Sequence, residues 1–401
     1  MEPREAHQAA GGQSSSSARE DGRRSSSSAK ANTGHSQGRG GAGAPPSTSS
    51  SSPGGAGAPP STSSSSPGGA GAPPSTSSST PGGAGAPPST SSSTPDAPPS
   101  IALEAEGLHR RFGQTEALRG LSFQVARGEL YGLVGPDGAG KTTAIRALAG
   151  LLDADAGEAR VLGRSSRKGG SAMRESLGLM PQQFSLYRDL SVGENLRFFA
   201  RLYCLPEKLF RERSERLLGI ARLGPFVDRR AEALSGGMYK KLALACALLH
   251  EPEVLLLDEP TNGVDPVSRR ELWALLHEFV AEGMTVLIST PYMDEAERCG
   301  RVGLIHRGRL LLEGEPKALL RDFDHETFEV QGGDRDAVDA RLEELTEVRA
   351  ASPAGATLRI VVTPGGAGAV AKALAELGAR LEPAAPDFED LFLARIAQGE
   401  A

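Results

Sequence analysis

The stretch LYGLVGPDGAGKTTAIRALAGLL, Leu130–Leu152, decides the fold. LYGLVG is a continuous apolar run that fits a buried strand, and AIRALAGLL carries helical periodicity. Between them lies GPDGAGKTT, Gly135–Thr143. Strand, glycine loop and helix in that order form the context of a phosphate loop. Gly138 and Gly140 let backbone N–H groups close around phosphates, at the positive end of the helix that follows. Lys141 supplies a point charge to the β- and γ-phosphates of a nucleotide, and the Thr142 hydroxyl is placed to ligate magnesium. Gly135, Pro136, Asp137, Ala139 and Thr143 complete the nucleotide-binding stretch. A glycine turn that binds nothing is the bland alternative.

Two further motifs narrow the reading. VLLLDEP (Val254–Pro260) is an apolar strand ending in two carboxylates with different jobs. Asp258 would hold magnesium, and Glu259 would polarise the water that attacks the γ-phosphate. Between the two phosphate-handling motifs lies LSGGM (Leu234–Met238), just before the apolar helix YKKLALACALL. Ser235 and the N–H groups of Gly236 and Gly237 stand at that helix N-terminus, where dipole and orphan donors favour an anion. A plain helix cap is the alternative there.

GPDGAGKTT, LSGGM and VLLLDEP together resemble the ATPase subunit of ATP-binding cassette (ABC) transporters, over about Ile101 to Ala401. The resemblance implies an α/β fold: a P-loop ABC ATPase with a RecA-like core, an antiparallel β subdomain and a helical signature subdomain at about 184–248. It implies ATP and Mg2+ as ligands. The signature, Leu234, Ser235, Gly236, Gly237 and Met238, would meet the γ-phosphate of ATP bound on the other half of a dimer. Met238 replaces the commoner glutamine, a change of little consequence where the binding groups are Ser235 and backbone. Phe112 stands where the family carries an aromatic that stacks on adenine; filling a core is its other reading. Gln182 matches the glutamine that reaches the metal and the attacking water, although a shift of one residue to Gln183 stays open. Asp265, in TNGVDP, matches the aspartate that bridges two ATPase subunits.

One departure stands out. Where the family carries a histidine, in a segment like STHxMDEAE, this chain reads STPYMDEAE, with Pro291. Proline has no side-chain donor and no backbone N–H. Removing one well-aimed donor from a developing charge costs on the order of 10²–10³ in rate. Lys141, Thr142 and the loop amides remain, so the expectation is ATP binding with poor hydrolysis at the chain's own site. An intact LSGGM could still complete a partner's site, the logic of an asymmetric dimer.

Composition sets the domain plan. Residues 1–100 are dominated by Ser, Gly, Ala and Pro, and the 14-residue unit GGAGAPPSTSSSSP recurs from Gly40, Gly54, Gly68 and Gly82. The repeats hold no aromatic or branched aliphatic residue to offset backbone entropy, so a disordered tail is expected. They also lack the apolar face that stacking repeats bury. A start of translation near Ile101 is an alternative. The ATPase domain is expected over 101–321 and a small α/β accessory domain over 322–401. Strands there are read at HETFEVQ, ATLRIVVT and RLEP, and helices at AVDARLEELTEV, GAVAKALAELGA and DFEDLFLARIAQ. The net charge of −6 gives no hint of a nucleic-acid partner. Three scattered cysteines suit a reducing cytosol. No apolar run approaches the roughly 18 residues of a spanning helix.

The motifs look like the first ATPase half of YbhF-type double ATPases that serve ABC-2 type exporters. That resemblance implies a separate ABC-2 type permease, a second ABC ATPase subunit (a heterodimer in preference to a homodimer) and a place on the cytoplasmic face of the plasma membrane. The helical subdomain would face the permease, although aromatics at helical spacing, such as Phe184, Tyr187, Phe198, Phe199 and Tyr203, are more often core. Two other readings compete. A soluble ABC ATPase acting on ribosomes or DNA would carry two cassettes or a long coiled coil. A non-catalytic subunit that lends LSGGM to its partner is favoured by Pro291 and opposed by Glu259.

Overall fold

A computed structural model describes residues 100–183 and 186–399. The expected tail (Ser100 apart) and Phe184 lie outside the described residues. The chain opens with β1 (Ile101–Phe112), β2 (Thr115–Ala126), β3 (Leu130–Val134), α1 (Lys141–Leu148), β4 (Ala156–Val161), β5 (Arg164–Ser165), α2 (Gly170–Glu175) and β6 (Leu177–Met180). Three longer helices follow: α3 (Val192–Leu202), α4 (Glu207–Ile220) and α5 (Gly236–Leu248). Next come β7 (Val254–Asp258), α6 (Pro266–Ala281), β8 (Thr285–Thr290), β9 (Arg301–His306), β10 (Arg309–Gly314) and α7 (Pro316–Arg321). The last stretch holds β11 (Glu326–Gly332), α8 (Arg335–Glu344), β12 (Val348–Ala354), β13 (Thr357–Val362), α9 (Ala367–Ala375), β14 (Ala379–Pro383) and α10 (Phe388–Ala397).

The main sheet runs β10-β9-β3-β8-β7-β6. β3 is parallel to β8 and β9, and β7 to β6 and β8, while β10 pairs antiparallel at the edge. Every residue of β3, β7 and β8 is buried. Parallel strands covered on both faces read as unbroken apolar runs, which is why LYGLV, VLLLD and TVLIST lack alternation. Their C-terminal ends meet at one edge, the usual place for a ligand in an open α/β sheet. A second, antiparallel sheet, β2-β1-β4-β5, packs Leu103, Leu108 and Leu121 with Ile145 and Leu148 of α1.

The helical segment starts with a capping box in which Ser191 and Glu194 satisfy each other's backbone donors at α3. α5 is buried on nearly every side, so its LALACAL stretch has no polar face to display. After β8 the chain forms a 3₁₀ turn, Met293–Arg298, preceded by extended Tyr292. Short 3₁₀ pieces are common where the chain reverses beside a packed strand.

The accessory sheet, β12-β13-β11-β14, is antiparallel throughout. Its own core joins Val330, Ile360 and Val362 to Val338 and Leu342 of α8 and Val370 and Leu374 of α9. β12 went unread in the sequence because VRAASPA is poor in β-branched and aromatic residues. It lies at the sheet edge, where Pro353 removes no interior ladder bond. α10 packs into the ATPase core and is tied to the accessory sheet by an ion pair. Phe388, Leu391 and Phe392 pack with Cys299, Val302 and Leu304 of the ATPase core, while Arg359 of β13 grips Asp390 through Nε (2.9 Å) and Nη2 (2.7 Å).

Candidate functional site

The phosphate loop leaves β3 and enters α1 at Gly140, whose φ of 109° lies in the left-handed region. A Cβ there would also stand 2.5 Å from the Ala117 carbonyl, so glycine is required twice over. Gly135 is fixed by proximity alone: a Cβ would meet the Ile305 carbonyl at 2.1 Å. Asp137 and Gly138 are exposed at the tip, Pro136 is half-buried and Ala139 is buried. Lys141 is 3% exposed, and its ammonium donates to the carbonyls of Gly135 (2.7 Å) and Pro136 (3.0 Å). It also lies 3.4 Å from Glu259 Oε1, a carboxylate as buried as itself. Thr143, half-buried, follows Thr142 on the first turn of α1.

The two carboxylates of β7 face different neighbours. Asp258 Oδ1 accepts from Thr142 Oγ1 (3.0 Å) and Ser289 Oγ (2.8 Å). Burial pushes the Asp258 carboxyl above the ordinary range, with the Ser289 and Thr142 hydroxyls pulling the other way. Hard oxygens on Thr142 and Asp258, side by side beside a phosphate loop, fit magnesium, which takes one or two protein oxygens and completes its shell with phosphate and water. Glu259 holds a left-handed backbone (φ 49°), which its surroundings over-determine. Its N–H donates to Ser289 Oγ (3.1 Å), and its carbonyl accepts from Lys240 Nζ (3.4 Å). Burial brings that Lys240 ammonium down to about 8, opposed by Glu259 and Asp258. Glu259 Oε2 accepts from Gln182 Nε2 (2.7 Å) and Asn262 Nδ2 (3.3 Å). Thus Gln182, of the two adjacent glutamines, is the one that reaches the carboxylate.

Ser289, Lys240 and Asn262 were not singled out in the sequence. Ser289 sits opposite Asp258 in the β7–β8 register, a cross-strand relation that linear spacing does not reveal. Asn262 lies in the quoted TNGVDP, where a turn asparagine has no distinguishing signal.

The signature stands apart from this cluster in its exposure. Ser235 is the N-cap of α5, accepting from the Met238 N–H (3.3 Å); Ser235 and Gly236 are exposed, and Leu234 and Met238 half-buried. Gly237 is buried, and Ser268 approaches so closely that a Cβ would meet its Oγ at 2.2 Å. Asp265 caps α6 through the Val267 and Ser268 N–H groups, both at 3.0 Å. The Ser268 hydroxyl and these amides hold its carboxyl below the ordinary range.

Pro291 follows β8, whose last carbonyl, that of Thr290, accepts from the Gly135 N–H (3.2 Å). Position 291 therefore lies next to the phosphate loop and offers it no donor. Phe112 ends β1 at 47% exposure under the Arg110 guanidinium, 4.8 Å from its ring centroid. That exposure removes the core-filling reading. Tyr187 and Phe198 are also exposed, edge to face at 4.5 Å, whereas Tyr203 stacks on His250.

A phosphate loop, two strand-end carboxylates and a capped signature helix on one sheet define an ATP-binding cassette. The ABC transporter family matches residues 118–262. The chain is 50% identical over 224 residues to the probable multidrug ABC transporter ATP-binding protein YbhF of Escherichia coli, covering 55% of this chain and 39% of that relative. It therefore spans about two fifths of that protein's length. It is 40% identical over 247 residues to the Nod factor export ATP-binding protein I of Ralstonia nicotianae, covering 61% of this chain and 77% of that one. Among solved structures, an ATP-binding subunit of an ABC transporter aligns with a TM-score of 0.51 and 32% identity, over 55% of this chain and 93% of that one. The cbiO1 chain of Clostridium perfringens, part of the ABC transporter complex cbiONQ, aligns with a TM-score of 0.52 and 30% identity, over 61% and 96%. The chain belongs to the ABC transporter ATP-binding family, whose cassettes bind and hydrolyse ATP.

Proposed function

We propose that this chain binds ATP on its own phosphate loop, hydrolyses it slowly there, and lends its signature to a second cassette that together with it powers export through a separate ABC-2 type permease. The adenine stacks on Phe112, and Lys141, Thr142, Thr143 and the loop amides of Gly135–Gly140 take the phosphates. Thr142 and Asp258, with Gln182 nearby, would hold magnesium, which would supply neutralisation of the phosphate charge. Glu259 accepts the proton of the attacking water, oriented by Gln182. Asp265 and the Ser235–Gly237 segment face the second cassette. The names of the relatives, multidrug and Nod factor export, support the export direction. The exposed Tyr187 and Phe198 are the side of the helical segment offered to the permease, at the cytoplasmic face of the membrane.

One observation carries this reading: Lys141, Thr142, Asp258, Gln182 and Glu259 converge within hydrogen-bond or ion-pair reach, while Pro291 beside them contributes no donor. The full chain alone is expected to bind ATP yet release phosphate slowly, and Pro291→His to raise that rate by on the order of tenfold or more. A fast rate that Pro291→His leaves unchanged overturns the weakened site. The second reading, a purely regulatory subunit, is favoured by Pro291 and predicts no hydrolysis at all in the wild-type chain.

A further inference from the structure

We propose that Tyr292 is a positioning residue for hydrolysis: its phenol holds the Asn262 amide, which in turn holds the Glu259 carboxylate. The inference rests on Glu259 acting as the base at this chain's own site. Tyr292 Oη lies 3.4 Å from Asn262 Oδ1, and Asn262 Nδ2 lies 3.3 Å from Glu259 Oε2. The polarity of this path is forced. An ionised carboxylate only accepts, so Asn262 must turn its NH2 toward Glu259. Its carbonyl oxygen then points away and calls for a donor, which a phenol supplies and a phenyl ring does not.

A buried framework sets the spacing between exposed Asn262 and half-buried Tyr292. Glu295 is 0% exposed, and its Oε2 accepts from Thr261 Oγ1 (3.0 Å) and Thr290 Oγ1 (2.6 Å). Trp273 Nε1 donates to the other oxygen at 3.2 Å. Thr261 immediately precedes Asn262, and Thr290 Oγ1 accepts the Tyr292 N–H at 3.1 Å. Both ends of the bridge thus hang from one carboxylate. The Tyr292 ring is held besides by the Arg269 guanidinium, 4.4 Å from its centroid.

The bridge matters most when nucleotide is bound. Lys141 now faces Glu259 Oε1, but a phosphate would draw its ammonium away. Glu259 Oε2 would then keep two amide donors, Gln182 from one side and Asn262 from the other. With Pro291 giving nothing, the next residue supplies order to the same site.

The test is steady-state phosphate release by the full chain, with ATP affinity read by a fluorescent analogue. Tyr292→Phe keeps the ring under Arg269 and removes only the hydroxyl. It should lower kcat about tenfold, the effect of one hydrogen bond in a charged network, with KM and ATP affinity unchanged. Asn262→Ala should do the same, and the double variant should be no slower than Asn262→Ala alone, since both act through one path. Wild-type kcat in Tyr292→Phe, a change confined to KM, or multiplying losses in the double variant would each overturn the proposal. Glu259→Gln serves as the control: retained hydrolysis there removes the role of Glu259 itself, whereas its loss alongside an unaffected Tyr292→Phe removes the bridge only.

Discussion

The phosphate-loop face and the signature face both present helix N-termini suited to anions, yet the chain treats them differently. At the first, Lys141 is buried, paired with Glu259 and donating to two carbonyls, in a cluster with Thr142, Asp258 and Gln182. At the second, Ser235 and Gly236 stand exposed, and the Ser235 hydroxyl meets one backbone N–H of its own helix. The first is assembled from three segments far apart in sequence; the second is local to five residues. A locally built anion site depends little on the rest of the fold, so it can be offered to another molecule. An assembled one carries the chemistry, and every partner it needs must be held at once.

The contrast breaks most visibly at Lys141. Lys141→Ala should abolish ATP binding, measured with a fluorescent analogue, and should also leave Glu259 buried without its cation. Losing one member of a buried pair costs about 3–5 kcal/mol, so the apo chain should unfold earlier in urea as well. Unchanged ATP affinity would remove the phosphate-loop assignment. The signature face is tested next in a complex with a second, histidine-bearing cassette. Ser235→Arg should abolish the ATPase activity of that complex, while Glu259→Gln, acting in the site proposed to be weak, should cost far less. Equal damage from the two would show that both faces serve equally strong sites.

Smaller effects sharpen the picture away from the nucleotide. Arg359→Met strands the Asp390 carboxylate, whose side chain is 2% exposed, between the accessory sheet and α10. A loss of about 3 kcal/mol in unfolding free energy is expected. ATP affinity should not move, because neither residue touches the phosphate loop; a large loss of affinity would show that the accessory domain controls the site.

The smallest prediction uses acid. The raised Asp258 carboxyl takes up its proton at a higher pH than an ordinary aspartate, whereas the lowered Asp265 carboxyl stays ionised further into acid. The linkage has opposite signs. Ionised Asp258 is disfavoured in the folded chain, so its contribution to stability improves as pH falls through its raised value, while magnesium binding worsens. Asp265 contributes stability present above its unfolded value and lost only as pH falls through its lowered one. Titrating magnesium-dependent nucleotide affinity downward in pH should therefore show losses starting above the ordinary aspartate range, before the α6 cap fails. Affinity that holds until the cap fails would mean that Asp258 is not the magnesium ligand.

The sequence by itself determined the cassette. LYGLV, VLLLD and TVLIST fit strands covered on both faces, and glycine, lysine and threonine at their spacing in GPDGAGKTT leave few backbones other than a phosphate loop. It also determined that position 291 lacks a donor, since that follows from covalent structure alone. Tertiary structure decided what depends on proximity between distant segments. It selected Gln182 over Gln183, brought Ser289 beside Asp258 across the β7–β8 register, and placed Asn262 and Tyr292 in line with Glu259. It made β12 a strand through its pairing with β13, against its own propensity. It also set α10 between the ATPase core and the accessory sheet, because the helix carries apolar residues for the one and Asp390 for Arg359 of the other. Local backbone preference and burial pattern are written residue by residue. Hydrogen bonds between side chains from separate strands and turns exist only once the sheet has set their distances.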